Sequence, residues 1–258
     1  MAARLSVTIL TKNNARTLDS VLSSVQFADE LIVVDSGSDD ETLAIARRHG
    51  ARIEEHPIQD FATQRNLAWR LAAGHWVLAL DSDEILDPEI AAHIQEVTQA
   101  PGGPGQPVGY ELRVQNYFLG RPLVGGGLAN DFHLRLAVRE SSRWEGEIHE
   151  RLTVVGLVAR LRGRIEHHTS DSLESRFAKT LRYARARARQ MRARGERVGP
   201  VAAVYRALRF FFGRLFVRAG YRDGFRGVVW WWLLATELLF SCFLSSGAEE
   251  DGGPAEGE

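Results

Sequence analysis

Four short apolar runs, Leu5 to Leu10, Glu30 to Val34, Ala51 to Glu55 and Trp76 to Leu80, are separated by stretches of helical spacing. Those stretches are Thr17 to Val25, Glu41 to His49 and Phe61 to Ala73. Each apolar run has the length of a buried strand, and strands that alternate with helices must cross over to pair in parallel. The pattern therefore predicts βαβ units in an α/β fold, with a Rossmann-type, mainly parallel sheet flanked by helices and right-handed connections. Asp19 and Asp40, near two helix starts, are expected as caps. With 258 residues, 45% of them hydrophobic, the chain can bury one such domain plus an appendage, which excludes extended disorder of the whole.

In open α/β sheets ligands sit at the carboxyl ends of the strands, so the residues following each run carry the functional information. The first run ends in Thr11-Lys12-Asn13-Asn14, the second in Asp35-Ser36-Gly37-Ser38-Asp39 and the fourth in Asp81-Ser82-Asp83-Glu84. All three are expected on one sheet edge. Two carboxylates two residues apart at a strand end raise each other's pKa unless a cation neutralises them. Mg²⁺ or Mn²⁺ suits such a site because it takes one or two carboxylates and fills its shell with water and phosphate oxygens. A solvated acidic turn that caps a helix at Pro88 is the structural alternative. The always-charged, planar Arg65 suits phosphate, as a surface arginine or otherwise, and Lys12 is placed to approach it.

Further along, Pro101 to Gly105 breaks any regular element, and Gly109 to Phe118 and Phe132 to Val138 alternate as strands around a loop with Gly125-Gly126-Gly127. Residues 172 to 195 and 201 to 218 are helical in pattern, and Gly227 to Leu244 is nearly all apolar. A Gly/Glu tail from Gly247 is expected to be disordered. These changes divide the chain into a catalytic domain over 1–170, a helical region over 171–246 and an acidic tail over 247–258. Cys242, the single cysteine, excludes a disulfide framework and any multi-cysteine metal site. No secretory signal is visible at the start, so the catalytic part is expected in the cytoplasm.

Three segments together, Val7 to Asn13, Val33 to Thr42 and Trp76 to Glu84, resemble the family 2 glycosyltransferases of the GT-A fold. Phe61 to Asn66, Asn116 to Gly120 and Trp144 to Glu150 are similar to the lipopolysaccharide core β-glucosyltransferase-like branch. The resemblance runs from about residue 5 to 245 and is weak beyond 170. It implies a GT-A-like domain that transfers a hexose, glucose in this branch, from a nucleotide-sugar donor such as UDP-glucose to a lipid-linked saccharide such as lipopolysaccharide core. By the same resemblance Thr11, Asp35 and Arg65 lie around the nucleotide, together with Lys12, Asn13, Gln64, Asn66, Asp81 and Ser82. Asp81 and Asp83 would meet the metal, Mg²⁺ or Mn²⁺, with His167 or His149 as a third ligand. Inverting transfer needs a base for the acceptor hydroxyl. Among Asp131, Glu145, Glu147 and Glu150, the branch motif favours Glu150, and Asp131 stands second because it precedes a strand with Arg135. A nucleotidyltransferase shares the acidic metal site, but it brings a glycine-rich loop after the first strand, and Thr11-Lys12-Asn13-Asn14 has no glycine. A non-catalytic scaffold would not need intact acids at 81 and 83.

Charge is distributed unevenly: residues 172–226 hold 15 Lys+Arg and 3 Asp+Glu, against 17 and 24 in residues 1–171. Arg176, Lys179, Arg182, Arg185, Arg189 and Arg192 recur at helical spacing and form a cationic face suited to anionic headgroups or a lipid-linked phosphate. Nucleic acid is not the expected partner, since the aromatics lie in apolar helices and do not interleave with the basic positions. Residues 228–244 approach the length of a bilayer span, but Glu237 in their middle makes a crossing costly. A peripheral or re-entrant attachment through residues 200–246, at the cytoplasmic face of the inner membrane, is the expectation.

Overall fold

The computed structural model describes residues 4–57, 61–99, 105–146, 151–170 and 172–246. Two compact units result, Met1–Asn116 with Asn130–His168, and Tyr117–Ala129 with Thr169–Glu258.

The first unit opens with the expected alternation: β1 (Leu5–Thr11), α1 (Ala15–Ser24), β2 (Glu30–Asp35), α2 (Thr42–Arg48), β3 (Arg52–Glu55), α3 (Phe61–Leu71) and β4 (Trp76–Asp81). Strands β1, β2 and β4 are buried on both faces, which only a sheet covered by helices on each side allows. They pair in parallel in the order β3-β2-β1-β4. There follow β5 (Glu84–Leu86), α4 (Pro88–Gln99), β6 (Gly109–Phe118), β7 (Arg121–Pro122), β8 (Phe132–Val138), β9 (Ser142–Glu145), β10 (Arg151–Val154), β11 (Val158–Arg160) and β12 (Ile165–Ser170). From β8 onward the sheet is largely antiparallel, with β8 on β4 and β6 on β8, and the order continues β4-β8-β6-β12-β5. Strands β9 and β10 form a separate hairpin. This is the α/β class that the sequence predicts, a parallel half flanked by helices, with antiparallel pairing confined to the half beyond β4.

One expected cap moves. Asp19 lies inside α1 and pairs instead with His49 at 3.0 Å and Arg48 at 3.7 Å. Asp40 receives the backbone N–H of Thr42 at 2.9 Å and of Ala15 at 3.2 Å, so one carboxylate serves the first residues of both α2 and α1.

The second unit is built on α5 (Leu173–Ala193), α6 (Pro200–Phe212) and α7 (Gly224–Ser245). Ser172 caps α5 by accepting the Ser175 N–H, and Pro200 begins α6, where a missing N–H costs nothing. Phe118, Leu123, Leu215, Trp230, Trp231 and Leu233 form its principal core. The glycine loop folds onto this core: Asp223 accepts N–H groups from Val124 and Gly125, each at 2.8 Å, and Arg214 donates to the Gly126 carbonyl at 2.8 Å. Gly126 has φ +69°, and a Cβ there would stand 1.9 Å from the Trp231 ring. Gly126→Ala is therefore expected to cost about 2–4 kcal/mol, from overpacking plus a left-handed alanine, measured by chemical denaturation.

The row of basic residues on α5 is not one face. Arg176 is buried and stacks on Trp230 at 4.4 Å, and Lys179 donates to the Thr169 carbonyl. Arg182, Arg185, Arg189 and Arg192 remain exposed. Glu237 also has an explanation: burial raises its pKa, against the nearby positive charges of Arg176 and Arg187. The segment Gly220–Ser245 is long and apolar enough to cross a membrane by length and composition. The tail from Gly247 lies outside the described residues.

Candidate active site

Register brings the three polar clusters together. Thr11 lies opposite Asp35 and Leu10 opposite Asp81, so the ends of β1, β2 and β4 share one edge of the first unit. Asp35 is buried and turns back on its own loop, accepting N–H groups from Gly37 at 2.9 Å and Ser38 at 2.8 Å and the Ser38 hydroxyl. Gly37 supplies the φ of +85° that this tight return needs. Asn13, itself left-handed, ties the first loop to the second: its N–H donates to Ser38 Oγ, and its Oδ1 accepts the Asp39 N–H. Lys12 is exposed on the same loop.

From α3, Gln64 donates to Ser36 Oγ and the His56 carbonyl, both at 2.9 Å. Two buried acceptors, Thr11 Oγ1 and Gln64 Oε1, have no hydrogen-bond partner among the described residues. Buried polar atoms without partners are costly, so each calls for a water, an ion or a ligand. Asn66 does not face this edge with its amide. Both ends of that amide are engaged by the Trp144 backbone, at 2.9 and 3.1 Å, which clasps α3 to β9.

Charge is densest around Asp81. Arg65 donates to one of its oxygens at 2.6 Å and Arg135 lies 3.4 Å from the other. Burial would raise the Asp81 pKa, but Arg65, Arg135 and then His167 outweigh it and hold the carboxyl well below the usual range. Arg65 is itself held over the Trp144 ring at 4.6 Å. Arg135 also pairs with Glu84 at 2.8 Å, and Glu84, only 1% exposed, accepts the Asp81 N–H at 2.9 Å. Burial pushes Glu84 above the ordinary glutamate range, with the Asp81 charge adding to it against Arg135. Ser82 is buried, and its carbonyl accepts the Thr17 hydroxyl at 2.7 Å.

Asp83 faces His167, with Oδ1 and Nε2 3.3 Å apart. The other ring nitrogen of His167 lies 3.1 Å from Asn116 Oδ1. Burial alone would lower the His167 pKa, but the Asp83 hydrogen bond and the Asp83, Glu84 and Asp81 charges raise it. The carboxylates thus favour positive charge at this point, and a carboxylate oxygen and an imidazole oriented by a second partner are donor types that a divalent ion accepts. Asp81 fits it less well, because both its oxygens already meet guanidinium groups. Among the described residues no group of three or more His, Cys, Asp or Glu side chains is arranged to hold a metal.

Asp131, just before β8, pairs with His133 at 3.0 Å. Burial would raise its pKa, but the His133 hydrogen bond and the His133, His167 and Arg135 charges lower it. Glu150 and His149 lie outside the described residues. Glu84 entered the sequence reading only as the end of its polar cluster, Asn116 only as the start of a motif and Arg135 only as a neighbour of Asp131, while His133 escaped it.

Parallel sheets take their ligands at the carboxyl ends of the strands, and in this one arginines and acids gather at that edge. Residues 6–102 match the sequence model "Glycosyl transferase family 2". An uncharacterized glycosyltransferase of Rickettsia felis is 24% identical over 237 residues, covering 88% of this chain and 83% of the relative. The lipopolysaccharide core biosynthesis glycosyltransferase LpsC of Rhizobium meliloti is 25% identical over 234 residues, covering 87% and 85%. Among solved structures, glucosyl-3-phosphoglycerate synthase from Mycobacterium tuberculosis aligns with a TM-score of 0.45 at 20% identity, covering 68% of this chain and 77% of that one.

Proposed function

We propose that this chain is an inverting, metal-dependent transferase that moves a hexose, glucose, from a UDP-linked donor to a lipid-linked saccharide of the lipopolysaccharide core kind. The observation that carries the reading is the convergence, on one sheet edge, of Arg65, Arg135, Asp81 and the Asp83–His167 pair with the unpartnered Thr11 Oγ1 and Gln64 Oε1. LpsC, by its name a core glycosyltransferase, supports the acceptor class.

Thr11, Asp35 and Gln64 border the nucleotide, with Asp35 and Asn13 setting the shape of its loop. Arg65 and Lys12 face the diphosphate. Asp83 and His167 would hold Mg²⁺ or Mn²⁺, with Asp81 behind them as the anchor of Arg65. A divalent cation held by Asp83 and His167 would supply charge to offset the departing nucleoside diphosphate. Asp131 takes the proton of the acceptor hydroxyl as its oxygen attacks the anomeric carbon. The bond from that carbon to the diphosphate oxygen breaks, its electron pair leaves with the nucleotide, and the configuration inverts. The helical region over residues 200–246 attaches the enzyme peripherally to the cytoplasmic face of the inner membrane, where a lipid-linked acceptor is found.

Incubating the chain with UDP-hexoses and Mn²⁺, and following UDP release with and without a core-saccharide acceptor, tests the reading; no metal-dependent release with any donor would refute it. In the same assay Asp131→Asn is expected to lower kcat by about 100-fold with donor affinity little changed. Because its pKa is lowered, Asp131 stays ionised through neutral pH, so the acid limb of the rate profile falls below the ordinary aspartate range. Should Glu150→Gln abolish transfer while Asp131→Asn spares it, the base is Glu150.

A further inference from the structure

Helix α6 carries apolar residues on the wrong side for a soluble helix. Ala203 and Ala207 are buried in the second unit, whereas Val201, Val204, Tyr205, Leu208 and Phe212, at spacings of three and four, are all exposed. Such spacing places them on one stripe. Val201 is 83% exposed and Tyr205 65%. The stripe continues into the π-helical turn Gly213–Val217, where Phe216 stacks on Phe212 at 5.9 Å and Val217 is 86% exposed.

The charge around this stripe selects its occupant. Between residues 197 and 236 there are seven arginines and one acid, Asp223. That acid is buried and accepts the N–H groups of Val124 and Gly125, so it adds no negative charge to the outer surface. A second copy of the chain seated symmetrically on this face would set arginines against arginines. An anionic phospholipid surface meets both demands: apolar side chains enter the acyl boundary, and Arg206, Arg209, Arg218 and Arg222, all exposed, meet the headgroups.

Helix α7 is the rival membrane element, and its surroundings exclude it. Trp230, Trp231, Leu233 and Cys242 are buried within the unit, and Arg176 of α5 stacks on Trp230. Glu237 lies within the field of Arg176 and Arg187. Immersing α7 in hydrocarbon would draw an arginine-rich helix in with it.

We propose that α6 is an in-plane membrane helix, with its Val201–Phe212 stripe and the Phe216–Val217 turn inserted among anionic phospholipids, and that α7 does not cross the bilayer. The proposal rests on the membrane attachment given above and names the element responsible. The test is co-sedimentation of the full chain with vesicles of phosphatidylcholine alone and of phosphatidylcholine with equimolar phosphatidylglycerol. Wild type is expected on the anionic vesicles and to be released by high salt. Tyr205→Asp/Leu208→Asp, and separately Val217→Asp, alter only exposed positions and are expected to bind at least about tenfold more weakly with an unchanged circular dichroism spectrum.

Phe177→Asp/Trp232→Asp is the comparison, since these side chains line a separate apolar groove of about 570 Å³ between α5 and α7. It is expected to retain binding. If the wild type binds no vesicle, the membrane attachment itself fails. If it binds and only the groove variant loses binding, the α6 proposal is overturned while the attachment stands. A wild-type dimer in the absence of lipid that the α6 variants dissociate would likewise overturn it in favour of self-association. None of these outcomes bears on sugar transfer to a soluble acceptor.

Discussion

Asp83→Ala is expected to lower metal-dependent sugar transfer by about 100-fold or more and to remove the stabilisation that UDP plus Mn²⁺ gives the wild type against thermal unfolding. The two effects share a cause in the proposed site. There Asp83 and His167, 3.3 Å apart, would supply the two protein ligands, and a divalent ion left with only the imidazole would lose its anionic contact. His167→Ala is expected to weaken Mn²⁺ in the same way but less, because the carboxylate remains. Asp81→Asn separates the roles: its oxygens face Arg65 and Arg135, so the loss should appear in donor affinity more than in the metal response. Calorimetric titration of Mn²⁺ with UDP present reads the distinction. If Asp83→Ala and wild type gave the same metal-dependent heat, the assignment of Asp83 would be wrong.

The parallel half of the fold was legible because its signals are local. Strands β1, β2 and β4 are mostly apolar and almost wholly buried, and each ends in a polar cluster whose place on the sheet follows from strand polarity alone. The second half was harder to order, since β6, β8 and β12 pair across long stretches of chain that periodicity does not connect. Within the site, residue types pointed to Asp81, Asp83, Arg65 and His167, and the structure brings all four to one edge. Asn66 looked equally suited to a nucleotide, yet its amide is spent on the Trp144 backbone, a partner 78 residues away. The Arg176 side chain misled for a related reason. Its helical spacing matches the exposed arginines of α5, and only the tertiary contact with Trp230 shows that it faces inward.

One signal in the sequence was available and unused: Arg135 stands between Leu134 and Leu136 in a strand that is otherwise apolar beyond His133. A guanidinium there requires an anion, and Glu84 and Asp81 provide it. The consequence is a large effect on stability. Arg135→Met keeps most of the volume but leaves Glu84 buried without its cation, retaining only the Asp81 N–H, and such uncompensated burial costs about 3–5 kcal/mol. Glu84→Gln offers one carbonyl oxygen where the carboxylate offers two, so either the Asp81 N–H or Arg135 meets the amide NH2 instead of an acceptor, while Asp81 still faces the guanidinium, and its cost is about 1–3 kcal/mol. The double variant Arg135→Met/Glu84→Gln removes both charges together and is expected to be less destabilised than Arg135→Met alone, a coupling that urea denaturation of the four proteins measures directly. Additive losses in that cycle would mean that Glu84 and Arg135 do not hold each other in place.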